Sequence, residues 1–220
     1  MTTTDADTLG VPEHSSQPAK PVPPAGVLVG IGGDPLIVGL IFFAIASVAL
    51  GMALVGRPTS DLGAVIPIIV AGSGLYQLVV TVWAVILGQS LVAAIFSTFS
   101  AFWLTLAALL LGLGHGWFGI ASANAVGAEE LFFIAWACLF LFLTIPCLKL
   151  PLVYPLAVGL VFVAVSLAAV GAFTGATDWF TAAGASALSF GFLAFYAWVH
   201  VALTAVGVSK VPPLGRSPLR

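Results

Sequence analysis

Between Pro35 and Val206 the chain is a series of six almost unbroken apolar blocks. Each is close to the ~20 residues a helix needs to cross a bilayer core. The blocks run over Pro35–Val55, Leu62–Leu87, Leu91–Leu113, Leu131–Leu148, Pro151–Phe173 and Phe180–Val206, and none contains a Lys or Arg. Of the 220 residues 61% are hydrophobic and 6% are charged, against roughly a quarter charged in soluble domains. No soluble fold of this length could bury that much apolar surface. Amphipathic surface helices would be less continuous, and a closed barrel would show segments of ~10 alternating residues. The sequence therefore predicts an all-α integral membrane protein with six transmembrane helices over residues 34–207. A polar N-terminal tail (1–33) and a short, loose C-terminal tail (208–220) flank it.

Charge narrows the function classes. The net charge is −2 and there is no basic run, so nucleic acid is not an expected partner. Cys138 and Cys147 sit in or beside an apolar block with no metal-ligand spacing, so they read as small buried hydrophobes. No metal, cofactor or catalytic group is expected. Residues 1–24 carry Asp5, Asp7, Glu13 and several prolines. This composition suits a disordered tail and lacks the basic start and apolar centre of a secretory signal. With both termini cytoplasmic, Lys20, Lys149, Lys210, Arg216 and Arg220 fall on the inner side and Arg57 alone on the outer. The positive-inside rule favours that orientation, in a plasma membrane such as a bacterial inner membrane.

Polar residues inside the blocks carry the functional signal. Ser73, Gln77 and Thr81 recur every fourth position and share one helical face. Such a stripe is costly against lipid, so it is predicted to face protein or a water-filled path. Gln77 could equally make an interhelical hydrogen bond. At the start of the first block, Asp34 can cap a helix whose first residue is Pro35, where a missing N–H costs nothing. The same exposed helix end could meet an anion. Tyr196, His200 and Thr204 also recur every fourth residue, as an interfacial anchor or a pore mouth with a protonatable His. Ser186 and His200 are 14 residues apart on one helix, about 21 Å at 1.5 Å per residue, too far for a catalytic dyad. Gly184, Ala187 and Gly191 read instead as small residues that let helices pack closely.

The helix entry Asp34-Pro35-Leu36-Ile37-Val38-Gly39-Leu40, with Phe43 after it, resembles the signature of the acetate uptake transporter family, the succinate–acetate permeases. Gly74-Leu75-Tyr76-Gln77, the Gly88-Gln89 turn and Phe96 to Trp103 (FSTFSAFW) match that family's second and third helices. Trp136, Lys149 and Ala194-Phe195-Tyr196 fall where it has similar residues. The resemblance implies a six-helix protomer with its own pore and a homo-hexamer in lipid. It implies passage of a small carboxylate such as acetate, with succinate and proton coupling left open. A narrow apolar constriction is implied at Phe43, Phe99 and Val161, or at Leu160 if the register slips by one. Together with Asp34, Pro35, Gly39, Leu40 and Gln77 these residues make the expected path and gate.

The chain departs from the family pattern in ways that remove polarity. Phe99 stands where the family has Tyr, Ala84 and Val201 stand where it commonly has Glu, and Ile37 replaces a Pro. Phe99 keeps the ring but loses a hydroxyl that could hydrogen-bond a carboxylate. A purely apolar gate favours dewetting as its closed state. Two alternatives stay open: a channel for a small neutral solute such as urea or an amide, and a membrane interaction or sensory protein that kept the fold without transport.

Overall fold

A computed structural model describes residues 33–56 and 62–219. Most of the tail expected over 1–33 lies outside them, as do Arg57 and Arg220. The described residues are helical with no strand, and six helices are long and apolar enough to cross a membrane. They are α1 (Leu36–Gly56), α2 (Leu62–Ile86), α3 (Ser90–His115), α4 (Ala125–Cys147), α5 (Val153–Thr174) and α6 (Thr177–Ala205). Short 3₁₀ turns at Trp117–Gly119 and Ser122–Asn124 join α3 to α4.

α1 packs most extensively on α6, α6 on α5, and α5 on α4, while α2 lies against α1 and α3. This order makes a ring whose last gap, between α3 and α4, is bridged mainly by aromatic side chains. Phe102 meets Trp136 edge-on at 5.3 Å, and Phe99 stacks on Phe140 at 5.2 Å. The closest seam is α1–α6, where glycines replace side chains. A Cβ on Gly184 would lie 2.7 Å from Leu54 Cβ, and one on Gly51 would lie 2.9 Å from the Gly184 carbonyl oxygen. Small residues thus bring the two backbones together, as in other membrane helix pairs. Ser186 spans the next seam by donating to the Leu160 carbonyl at 2.8 Å.

Three features differ from the sequence expectation. Glu129 and Glu130, which precede the apolar block expected from Leu131, lie in the second turn of α4, which starts at Ala125. Carboxylates near a helix N-terminus are favoured by the peptide dipoles, so charge there does not mark a break. α2 widens to a π-helix over Ile68–Leu75, directly after Pro67. Proline supplies no N–H to the ladder, and wide turns occur where that ladder is interrupted. Finally, the C-terminal tail is not loose: it folds back and bonds to α4, α5 and α6.

Candidate solute path

The helix entry is built as its residues suggest. Asp34 Oδ1 accepts the Leu36 N–H at 2.9 Å, and the Pro35 carbonyl accepts the Gly39 N–H at 3.0 Å. Pro35 is fully buried while Asp34 is exposed. Asp34 thereby places a carboxylate at the positive end of α1, where an anion would otherwise be attracted. One turn on, Gly39 lies under the Phe96 ring so closely that any Cβ would collide with it. This contact lets α3 approach α1 and sets Phe43, the next residue on that face, opposite Phe99.

Phe43 and Phe99 meet with ring centroids 4.4 Å apart, at 4% and 3% exposure. Phe43 also stacks on Phe190 of α6 at 5.5 Å. This layer separates two cavities that share no lining residue. The near cavity, at the end where α1 begins and α6 finishes, is about 90 Å³ and is walled by Leu40, Phe43, Phe96, Phe99 and Val158 among others. Tyr154 is its one polar-tipped wall residue. The far cavity is about 760 Å³, with Phe102, Trp103, Val161 and Phe190 at its wall. Among the described residues, Glu129, Thr177 and Thr181 line it with polar side chains beside the indole of Trp103, and Glu129 is the charged one.

The expected path residues divide accordingly. Leu40, Phe43 and Phe99 line the near cavity and Val161 lines the far one. Leu160 lines neither and is only half-buried. Asp34, Pro35 and Gly39 shape the entry without lining a cavity wall. Gln77 also lines neither cavity. It is fully buried on the α2 face, and neither amide atom has a hydrogen-bond partner; the same holds for Ser73 Oγ, one turn before. Thr81 is half-buried and bonds back to the Gln77 carbonyl at 2.8 Å. Ser100 of α3 donates to the Gly74 carbonyl at 2.7 Å, which ties the π-helical segment to the helix that carries Phe99.

Sequence reasoning missed Phe190 and Phe140. Phe190 follows Ala187 by three residues and faces the same way, so the small-residue stripe of α6 did carry a signal for it. Phe140 is one of several aromatics on α4, and sequence spacing alone does not single it out. The stripe Phe96, Phe99, Phe102, Trp103 crosses the constriction: its first two residues line the near cavity and its last two the far one.

Comparison with known proteins agrees with this architecture. None of the curated proteins matches the chain. Among solved structures, the bacterial acetate channel SatP superposes with a TM-score of 0.74 at 23% identity, over 83% of this chain and 99% of that one. That likeness establishes the fold. The model of the GPR1/FUN34/yaaH family matches residues 27–211, which include all six membrane-spanning helices. The chain belongs to this family, the acetate transporter family that its helix-entry and hairpin motifs resemble.

Proposed function

We propose that this protein is a membrane channel for small monocarboxylates such as acetate, and that its gate passes the neutral acid more readily than the anion. The observation that carries the reading is the pair of cavities meeting at the Phe43–Phe99 contact. The constriction presents ring carbon and no donor, so an anion would shed water there with nothing in return. Val161 on the far side, and Leu40 on the near side, extend the apolar section. Membership in the family and the likeness to an acetate channel support the substrate class. Both termini face the cytoplasm in this reading, and the apolar outer faces of α2 and α4 meet lipid or other copies in a hexamer.

The same geometry favours a second reading, a channel for a small neutral solute, because nothing at the gate is specific for a carboxylate. Labelled acetate and urea flux into proteoliposomes across a pH series separates the readings. Acetate entry above the leak of empty liposomes, rising as pH falls, is expected. Urea entry alone would replace the first reading with the second, and no entry of either would leave a non-transporting protein.

Two charges tune selectivity at the cavity ends. Glu129 puts a carboxylate on the wall of an otherwise mostly apolar chamber, where low-dielectric walls concentrate its field. It should repel acetate anion from the far cavity. Glu129→Gln is expected to raise the anion share of acetate flux at neutral pH by about threefold or more, read as flux against an imposed membrane potential. Unchanged potential dependence would remove Glu129 from that role. At the near end, Asp34→Asn keeps the cap, since Asn and Asp serve equally there, and removes the negative charge. A larger anion share of acetate flux at neutral pH is the expected result, and an unaltered dependence on membrane potential would count against it.

A further inference from the structure

The C-terminal segment after α6 is held by bonds from α6, from the start of α5 and from the turn that joins α4 to α5. After α6 ends at Ala205, Gly207 at φ 81° reverses the chain. Tyr196 Oη then donates to the Pro213 carbonyl at 2.7 Å, and His200 Nδ1 lies 2.6 Å from the Pro212 carbonyl. Both side chains stand one turn apart on α6. A prolyl carbonyl can only accept, so His200 carries its proton on Nδ1 here. The Leu214 carbonyl takes the N–H of Val153 at 3.1 Å, satisfying a donor that the first turn of α5 leaves open. Ser217 Oγ and the Leu219 N–H both donate to the Leu148 carbonyl, at 2.9 and 3.0 Å, just past the end of α4. Gly215, at φ 80°, passes so near Leu152 that a Cβ would lie 2.8 Å from Leu152 Cβ.

The position of this strap matters more than its bonds. Leu214 belongs to one apolar cluster with Leu36, Leu40, Val153, Tyr154 and Ala197. Those five residues also line the near cavity. The strap therefore rests on the wall of the smaller chamber, at the end through which solute would leave or enter. It also ties α4, α5 and α6 to one another there.

We propose that residues 212–219 act as an autoinhibitory strap that holds the near mouth narrow and must shift for solute to pass. This rests on the transport reading above. The small near cavity, set against the roomy far one, fits a mouth held closed by the chain's own end. Tyr196 and His200 are the latch: they hold the strap from the helix without lining either cavity.

The latch can be opened with the chain intact. Tyr196→Phe combined with His200→Ala removes both bonds to the Pro212-Pro213 pair, and losing two hydrogen bonds shifts a closed–open equilibrium by about an order of magnitude. Release is read by trypsin cleavage after Arg216 in the purified full-length protein, with faster cutting in the double variant. Labelled acetate flux into proteoliposomes is expected to rise about fivefold or more over wild type. A chain ending at Val208 should behave in the same way, and it supplies the test if the double variant leaves cleavage unchanged. Flux that stays level or falls when the strap is cut free or absent overturns the proposal and makes the tail a structural clamp. Wild-type flux with no gain defeats the strap alone, whereas no flux in wild type or in either variant defeats the transport reading and the strap with it.

Discussion

Phe99→Ala is expected to increase neutral-solute flux by about tenfold or more, a barrier reduction of ~1.4 kcal/mol. The ring of Phe99 is one half of the 4.4 Å contact that divides the cavities, and its other face rests on Phe140. Truncation leaves Phe43 with only its Phe190 stack in this layer and joins the two chambers through a space about the size of the lost ring. Water can then bridge a section that was dry, which removes the dewetting barrier. The same change deletes a fully packed ring, at roughly 3–5 kcal/mol of stability, so gating must be separated from damage. Labelled urea should pass faster while labelled sucrose stays excluded; sucrose entry would mean a collapsed protein. Phe99→Leu fills much of the volume and should stay near wild type. Phe99→Tyr adds a hydroxyl at the contact and is expected to help the anion more than the neutral acid, because only the anion gains a charge-assisted bond. If Phe99→Ala leaves urea flux unchanged, the path does not run through this contact.

Much of this architecture is legible in the sequence because the bilayer imposes a simple rule. An apolar block of the right length has to be a helix with its backbone groups satisfied internally. The stripe of Ser73 and Gln77 faces protein for the same reason, since lipid would not tolerate it. What the sequence hid depends on contacts between distant segments. The Gly39–Phe96 contact, which sets Phe43 against Phe99, involves residues more than fifty positions apart. The docked tail was hidden because Pro and Gly are also what a loose tail contains; its bonds to distant residues, among them those from Tyr196 and His200 to the Pro213 and Pro212 carbonyls, distinguish it. The periodic triplet Tyr196, His200, Thr204 was visible. Its partner was not, and two of the three turn out to hold the chain's own end while Thr204 bonds back to the His200 carbonyl. The π-helical stretch of α2 was missed because an i→i+5 register carries no hydrophobic period of its own over eight residues.

Gly184→Leu should cause a large loss of stability in the membrane domain. The reason lies in what its side chain would strike. A Cβ there meets Leu54 Cβ at 2.7 Å, Val55 Cγ1 at 2.9 Å and the Gly51 carbonyl oxygen at 3.0 Å. The last is backbone, so no rotamer change relieves it, and α1 and α6 must separate. Overpacking of this kind costs about 1–3 kcal/mol even where side chains can yield, and here the upper end or more is expected. The strain would also reach the gate. Phe43 on α1 and Phe190 on α6 stack across the same seam at 5.5 Å, less than two turns away on α6 and about two to three on α1. Prising the helices apart loosens that stack and leaves Phe43 less firmly set against Phe99. The variant should therefore melt earlier in detergent, followed by size-exclusion chromatography of heated samples, and whatever folds should leak urea faster than wild type. Gly127→Ala is the matched control: a Cβ at Gly127 meets nothing within 4 Å, and alanine favours a helix interior over glycine by about 1 kcal/mol. Gly184→Leu melting no earlier than that control would show that the α1–α6 seam is not what holds the gate residues in register.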